Sequence, residues 1–557
     1  MRELSGVGVG SSAAVGTAVV LALPARPPAD EPAAADPVTA GADVRAAFDA
    51  VANSLRARAE RAGGTTADVL QATALMAADP GLPAEVERRL ALGTGPATAV
   101  DEAVETFCEI LAAGGPHLAE RVTDLRDVRD RVVARVLGLP EPGVPGLSGP
   151  SVVIARDLAP ADTAALDLSR VVGIVTELGG PTSHTAIVAA QFDLPCVVRV
   201  EGALGITDGC AVAVDARSGS VTLDPGTGLR SAIETRRAVR AELAASAGGP
   251  GRTADGTGVQ LLANVGTLEA AERAAALDVE GIGLFRTEVL FLDRNSAPTL
   301  EEQTEVYARV LRAFGDRKVV VRTLDAGADT PLAFVALAAE ENPALGVRGL
   351  RTARRHPDLL DTQLRALAAA AEISGTRPWV MAPVVATPEE ARGFVDRARA
   401  AGLREVGAMV EVPAAALRAP HLLAAGLDFV SIGTNDLTQY TMAADRLEGD
   451  LADLLDPWQP AVLQLVGLTG AAGAAAQAPV GVCGEAARDP LLALVLVGLG
   501  ATSLSMAPAA VPAVRFALSR TTSVTCRAMA EAALAAVTPA DARAAAARLA
   551  DPEVVAR

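Results

Sequence analysis

From Val259 onward, short apolar segments alternate with helical ones, and this alternation constrains the fold more than any other feature of the chain. The strand-like segments are VQLLANV, GIGLFR, KVVVRTLD, PWVMAPVV, EVGAMVEV, DFVSIGT, PVGVCGE and TSLSM, with helical stretches such as LLDTQLRALAAAAEIS between them. Continuous apolar runs suit strands buried on both faces, which requires helices packed against the sheet. Repeated βα units over residues 253–557 therefore point to a (β/α)8 barrel. Periodicity alone leaves a doubly wound open sheet as the alternative. The fourth barrel strand is expected around Leu345–Leu350.

The first half reads differently. Residues 1–22 are small and β-prone, enough for one or two strands, and residues 145–225 alternate strands with turns and helices. Together they suggest one α/β domain. Between them, residues 38–138 carry apolar positions at three and four spacing, as in VRAAFDAVANSLRARAERA, which predicts an inserted four-helix subdomain. Residues 226–252 form a polar helix followed by the break AGGPGR, suited to a linker and hinge.

Charge and composition exclude some functions. The net charge of −18 over 557 residues argues against nucleic-acid binding, which needs a basic face. The start, MRELSGVGVG, lacks a signal-peptide pattern. No apolar run reaches the roughly 18–20 residues of a membrane span. Five scattered cysteines show no metal spacing and suggest reduced thiols in a cytoplasmic protein.

The stretch Gly179–Ala190, GGPTSHTAIVAA, follows the apolar run VVGIV and opens a helix. A glycine turn at a helix N-terminus presents unpaired N–H groups to an anion. His184, one of four histidines, sits in that turn. Imidazole is a good phosphate-accepting nucleophile near neutral pH, so His184 is a candidate phosphoryl carrier. The plainer reading is a capping histidine.

In a (β/α)8 barrel, polar residues just after each strand face the active site. Here they are Arg286, Glu288, Arg322, Asp325, Asp329, Asn342, Arg348, Arg351, Glu411, Asn435, Asp436, Arg446, Cys483 and Glu485. Converging arginines match a compact anion carrying phosphate and carboxylate. Glu411 and Asp436 can hold Mg²⁺, or Mn²⁺, through oxygen ligands. The plainer reading of each arginine is ion pairing between helices. Cys483 follows a strand, where most cysteines are simply buried; positive surroundings would lower its pKa and let it move protons.

The segments GGPTSHTAIVAA, GIGLFRTEVLFLDR, VVVRTLDAGAD, NPALGVRGLR, GAMVEVPAA, SIGTNDLTQYTMAADR and GVCGEAARD together resemble enzyme I of the phosphoenolpyruvate:sugar phosphotransferase system, the phosphoenolpyruvate–protein phosphotransferases. The likeness runs in the same order over nearly the whole chain. It implies that His184 attacks the phosphorus of phosphoenolpyruvate and passes the group to the histidine-containing phosphocarrier protein, the first step of sugar uptake. Arg286, Arg322, Arg446 and Asn435 would bind the substrate, with Arg348 assisting, and Glu411 and Asp436 would hold the metal. Cys483 would protonate the enolate to give pyruvate, and Thr163 would orient His184. The helical insert would dock the carrier, and the barrel would form the homodimer. The chain departs from the family's usual basic residues at Pro181, Ala190 and Thr330. A regulatory phosphoenolpyruvate sensor with a signalling output is the alternative of a different class. A dikinase would need a nucleotide-binding domain, and residues 1–150 are too short and too helical for one.

Overall fold

A computed structural model describes residues 2–10, 12–21, 25–60, 64–113, 121–139, 142, 147, 149–158, 166–167, 169–179, 185–186, 189, 194–246, 248–291, 294, 296–327, 332, 334–335, 340–446 and 448–556. The chain divides into two compact units, Met1–Glu234 and Thr235–Arg557.

The first unit is built on a mixed eight-stranded sheet in the order β1-β8-β7-β3-β4-β5-β6-β2. Its strands are β1 (Arg2–Ser5), β2 (Val7–Val9), β3 (Ala13–Val20), β4 (Ser151–Ala155), β5 (Val171–Thr176), β6 (Cys196–Val198), β7 (Ala211–Asp215) and β8 (Ser220–Leu223). The N-terminal stretch thus supplies three strands, not one or two, because Gly6 and Gly10 interrupt it. β3, β4, β5 and β6 run parallel, while β7 and β8 form an antiparallel hairpin beside β3. The alternation of β4 explains the layers. Val152 and Ile154 pack on one face with Val212 and Val214. Val153 and Ala155 pack on the other with Ile174 and Val198.

Between β3 and β4 lie α1 (Pro37–Ala59), α2 (Gly64–Ala77), α3 (Gly81–Ala91), α4 (Pro96–Ala113) and α5 (Arg121–Val136). The sequence suggested four helices; Pro80, which has no N–H to give and clashes with the preceding turn, separates α2 from α3. Phe48, Val51, Leu55, Val100, Val104, Val128 and Val132 fill their shared core. The helix α6 (Thr227–Ser246) contains the division between the two units.

The second unit is a closed barrel of eight strands: β9 (Gln260–Val265), β10 (Gly281–Phe285), β11 (Lys318–Arg322), β12 (Trp379–Ala382), β13 (Glu405–Val410), β14 (Phe429–Gly433), β15 (Val480–Cys483) and β16 (Ser503–Met506). Every neighbouring pair is parallel, and β16 returns to β9 to close the ring. The open sheet is excluded. Side chains alternate as the pleat dictates. Val319 and Val321, Val380 and Ala382, and Val430 and Ile432 face the surrounding helices. Val320, Met381, Met409, Phe429 and Cys483 point into the barrel.

No strand occupies Leu345–Leu350. The fourth strand is β12, and residues 343–354 form two 3₁₀ turns, Pro343–Leu345 and Gly349–Arg354. Gly349 has φ +56°, and a Cβ there would meet Val384 Cγ2 at 2.7 Å, so the backbone bends where a strand would have to run straight. Among the described residues no helix is long and apolar enough to cross a membrane.

Candidate active site at the barrel mouth

The C-terminal ends of the barrel strands carry a chain of alternating charges. Arg322, the last residue of β11, pairs with Glu288 at 2.9 Å and Asp325 at 3.0 Å. Asp325 also receives Arg348 at 3.2 Å, and Arg348 reaches Asp436 at 3.6 Å. Arg446 meets the other oxygen of Asp436 at 3.5 Å. The order is therefore Glu288, Arg322, Asp325, Arg348, Asp436, Arg446. These arginines are ion-paired, but with carboxylates at strand ends and not between outer helices. Burial opposes charge on Arg322, yet Glu288 and Asp325 outweigh it and raise the guanidinium above its ordinary value. Burial likewise pushes Asp325 up, but Arg322 and Arg348 hold it below the usual carboxylate range.

Glu411 follows β13 and is fully buried. Its Oε1 accepts a 2.6 Å hydrogen bond from Val384 N–H. Burial, then the charges of Asp436 and Asp325, push its carboxyl up to about 8. Val384 holds φ +55°, a conformation that costs a β-branched residue roughly 1–3 kcal/mol and that clusters at functional sites. Gly433 ends β14 beneath this carboxylate, and a Cβ there would meet Glu411 Oε2 at 2.8 Å.

Asn435 and Asp436 open the helix Thr434–Met442 directly after β14. Asn435 Oδ1 accepts from Glu485 N–H at 3.1 Å, and Thr434 Oγ1 donates to Cys483 C=O at 3.0 Å. The start of this helix thus fixes the turn after β15. Cys483 is the last residue of β15 and is buried. Its thiol donates to Ile432 C=O at 3.5 Å and accepts from Ser431 Oγ at 3.7 Å. Burial pushes it up to about 11, contrary to the lowering expected from positive surroundings. The thiol therefore keeps its proton at neutral pH, as an acid must.

Other expected residues stand outside this chain of ion pairs. Arg286 follows β10 and is exposed, its backbone N–H bonded to Val265 C=O. Arg351 turns to Glu390 at 3.8 Å, Glu485 pairs with Arg488, and Asn342 is exposed at the start of a 3₁₀ turn. His184, Thr163, Asp329, Pro181, Ala190 and Thr330 lie outside the described residues.

Three family models match in sequence order: the N-terminal domain of PEP-utilising enzymes over residues 5–121, their mobile domain over 147–219 and their PEP-binding domain over 240–523. The chain is 50% identical to a phosphoenolpyruvate-protein phosphotransferase of Streptomyces coelicolor, covering 97% of each chain. It is 41% identical to one of Haloferax volcanii, over 97% of this chain and 98% of that one. The chain belongs to the phosphoenolpyruvate–protein phosphotransferase family of PEP-utilising enzymes. Among solved structures, an NMR structure of an Enzyme I protein is 28% identical over 42% of this chain and 98% of that chain, with a TM-score of 0.36.

Within this family enzyme, several residues that shape the site carry no obvious sequence signal. Gln363, on the helix Pro357–Ser374, accepts from Leu324 N–H at 2.9 Å and donates to Thr287 Oγ1 at 3.1 Å. Thr287 in turn donates to Arg322 C=O at 3.0 Å, so Gln363 sets the backbone of the arginine strand. A glutamine among leucines and alanines was the available hint. The donor set also suits a cation. Glu411 Oε2, Asp436 Oδ1 and Asp325 Oδ1 are buried and make no hydrogen bond. Among the described residues no three metal-binding side chains cluster, so a hard cation held by Glu411 and Asp436 needs further oxygens from substrate or water.

Proposed function

We propose that this enzyme transfers the phosphoryl group of phosphoenolpyruvate to its own His184 and then to a histidine-containing phosphocarrier protein, releasing pyruvate as the first step of sugar uptake. The observation that supports the reading is the arginine–carboxylate chain at the barrel mouth, together with the buried Cys483 that ends β15 of the same barrel. Arg322, Arg348 and Arg446 exchange part of their carboxylate pairing for the substrate's phosphate and carboxylate, with Arg286 and Asn435 at the rim. Glu411 and Asp436 would hold Mg²⁺, which offsets charge on the substrate's oxygens. Removal of the phosphoryl group leaves the enolate of pyruvate. The Cys483 thiol then gives its proton to the methylene carbon. Thr163 orients His184, the helical insert receives the carrier, and two barrels associate as a homodimer.

The test is stoichiometry. With phosphoenolpyruvate and Mg²⁺ alone, the enzyme gives one burst of pyruvate per active chain and stops. Adding a histidine-containing carrier restores turnover, with one pyruvate for each carrier phosphorylated. Continuous pyruvate formation without a carrier contradicts this reading.

A further inference from the structure

Once Cys483 has given up its proton it must regain one, yet it is 1% exposed and faces the barrel interior. Strand parity defines what lies below it. Phe429, Ser431 and Gly433 of β14 point inward, as do Gly481 and Cys483 of β15, Ser503 and Ser505 of β16, and Lys318, Val320 and Arg322 of β11. Ser431 sits one layer beneath Cys483, its Oγ 3.7 Å from Sγ. Below it is a small cavity whose largely apolar walls, Val320 and Phe429 among them, also carry Lys318, Ser431, Ser503 and Ser505, with about 10 Å³ open to a water's centre. That is room for about one water, and the hydroxyls and ammonium supply its partners. Gly481 keeps the space open: a Cβ there would lie 3.1 Å from Ser503 Oγ and 3.5 Å from Ser431 Oγ.

Lys318 closes the floor. It is the first residue of β11 and only partly buried, so it meets solvent at the bottom of the barrel. Its ammonium lies 3.7 Å over the Trp379 ring and 5.6 Å from that of Phe429. Burial lowers its pKa to about 8, while Glu405 on β13 opposes the fall. The group can therefore release and regain a proton near neutral pH.

We propose that Cys483 is re-protonated from the floor of the barrel, through Ser431 and a cavity water held above Lys318. The step balances. The S–H bond breaks as the enolate C–H bond forms, leaving a thiolate. Ser431 passes its hydroxyl proton to sulfur and takes one from the water, which takes one from the Lys318 ammonium. Neutral Lys318 recovers its proton from bulk solvent. Ser431 and Lys318 are positioning residues, since they act through Cys483. The inference rests on Cys483 being the acid of the proposed reaction.

The experiment compares Cys483→Ala, Ser431→Ala and Lys318→Met in the full-length enzyme. It reads steady-state pyruvate formation with carrier present, and separately phosphoryl exchange between enzyme and phosphorylated carrier. Ser431→Ala and Lys318→Met should slow pyruvate formation at least about tenfold, a fraction of the 10²–10⁴ that a general acid contributes. Exchange should stay at the wild-type rate, and Ser431→Thr, which keeps the hydroxyl, should restore pyruvate formation. Equal loss of both activities, or wild-type pyruvate formation in Ser431→Ala or Lys318→Met, overturns the relay. If Cys483→Ala itself forms pyruvate normally, the assignment of the acid fails instead. Should Ser431→Ala not fold, Lys318→Met carries the same test.

Discussion

Glu411 is the residue whose protonation couples most directly to what the site holds. Its folded-state pKa, about 8, stands above the ordinary 4.5. Between those values the folded protein keeps a proton that the unfolded chain has lost. Stability therefore falls as pH rises through that window and levels off above about 8. Melting in EDTA should show a transition temperature that declines from pH 5 to pH 8.5. Glu411→Gln should flatten the decline and melt higher than wild type at pH 8.5, by about 1–2 °C for each kcal/mol relieved. Divalent cation should raise the wild-type melting temperature at pH 8.5 and leave Glu411→Gln unmoved. At Cys483 the same force, burial, acts to keep a proton on the thiol at neutral pH. Cys483→Ala should therefore lower pyruvate formation by about 10²–10⁴ while phosphoryl exchange with phosphorylated carrier persists.

The loops after β11, β13, β14 and β15 hold the site because elements behind them fix their backbones. Gly433 is one such point. Gly433→Ala places a methyl against Glu411 Oε2 and Met409 Cε, both 2.8 Å away. The variant should stay folded, as circular dichroism can check, and lose cation-dependent activity. Gln363 is another. Gln363→Leu leaves Leu324 N–H buried without its acceptor, which should cost about 1–3 kcal/mol in chemical denaturation. These elements also separate what sequence reveals from what it hides. Continuous apolar runs made the barrel strands legible, and the polar residues at or just after their ends pointed to Arg322, Glu411 and Asp436, whereas Arg348 lies in a turn with no strand before it and Arg446 lies beyond the helix Thr434–Met442. Leu345–Leu350 misled because its apolar letters ignore Gly346 and Gly349, which turn the chain. Val384's positive φ arises from tertiary packing, and no local pattern announces it. Ser431 was hidden inside an apolar strand for the same reason.

At the scale of the whole molecule, chemistry is divided between two units joined by the helix α6. The barrel unit carries the arginine chain, the paired acids and the cysteine. The sequence assigns the nucleophile to the other unit, in the segment that follows β5. The proposed reaction therefore needs His184 to visit the barrel mouth and then the carrier. The most direct measurement incubates the protein with ³²P-labelled phosphoenolpyruvate and Mg²⁺ and maps the label by peptide sequencing. The account predicts an acid-labile, base-stable label on His184, absent from His184→Ala and reduced in Arg322→Met. Label persisting in His184→Ala would contradict it.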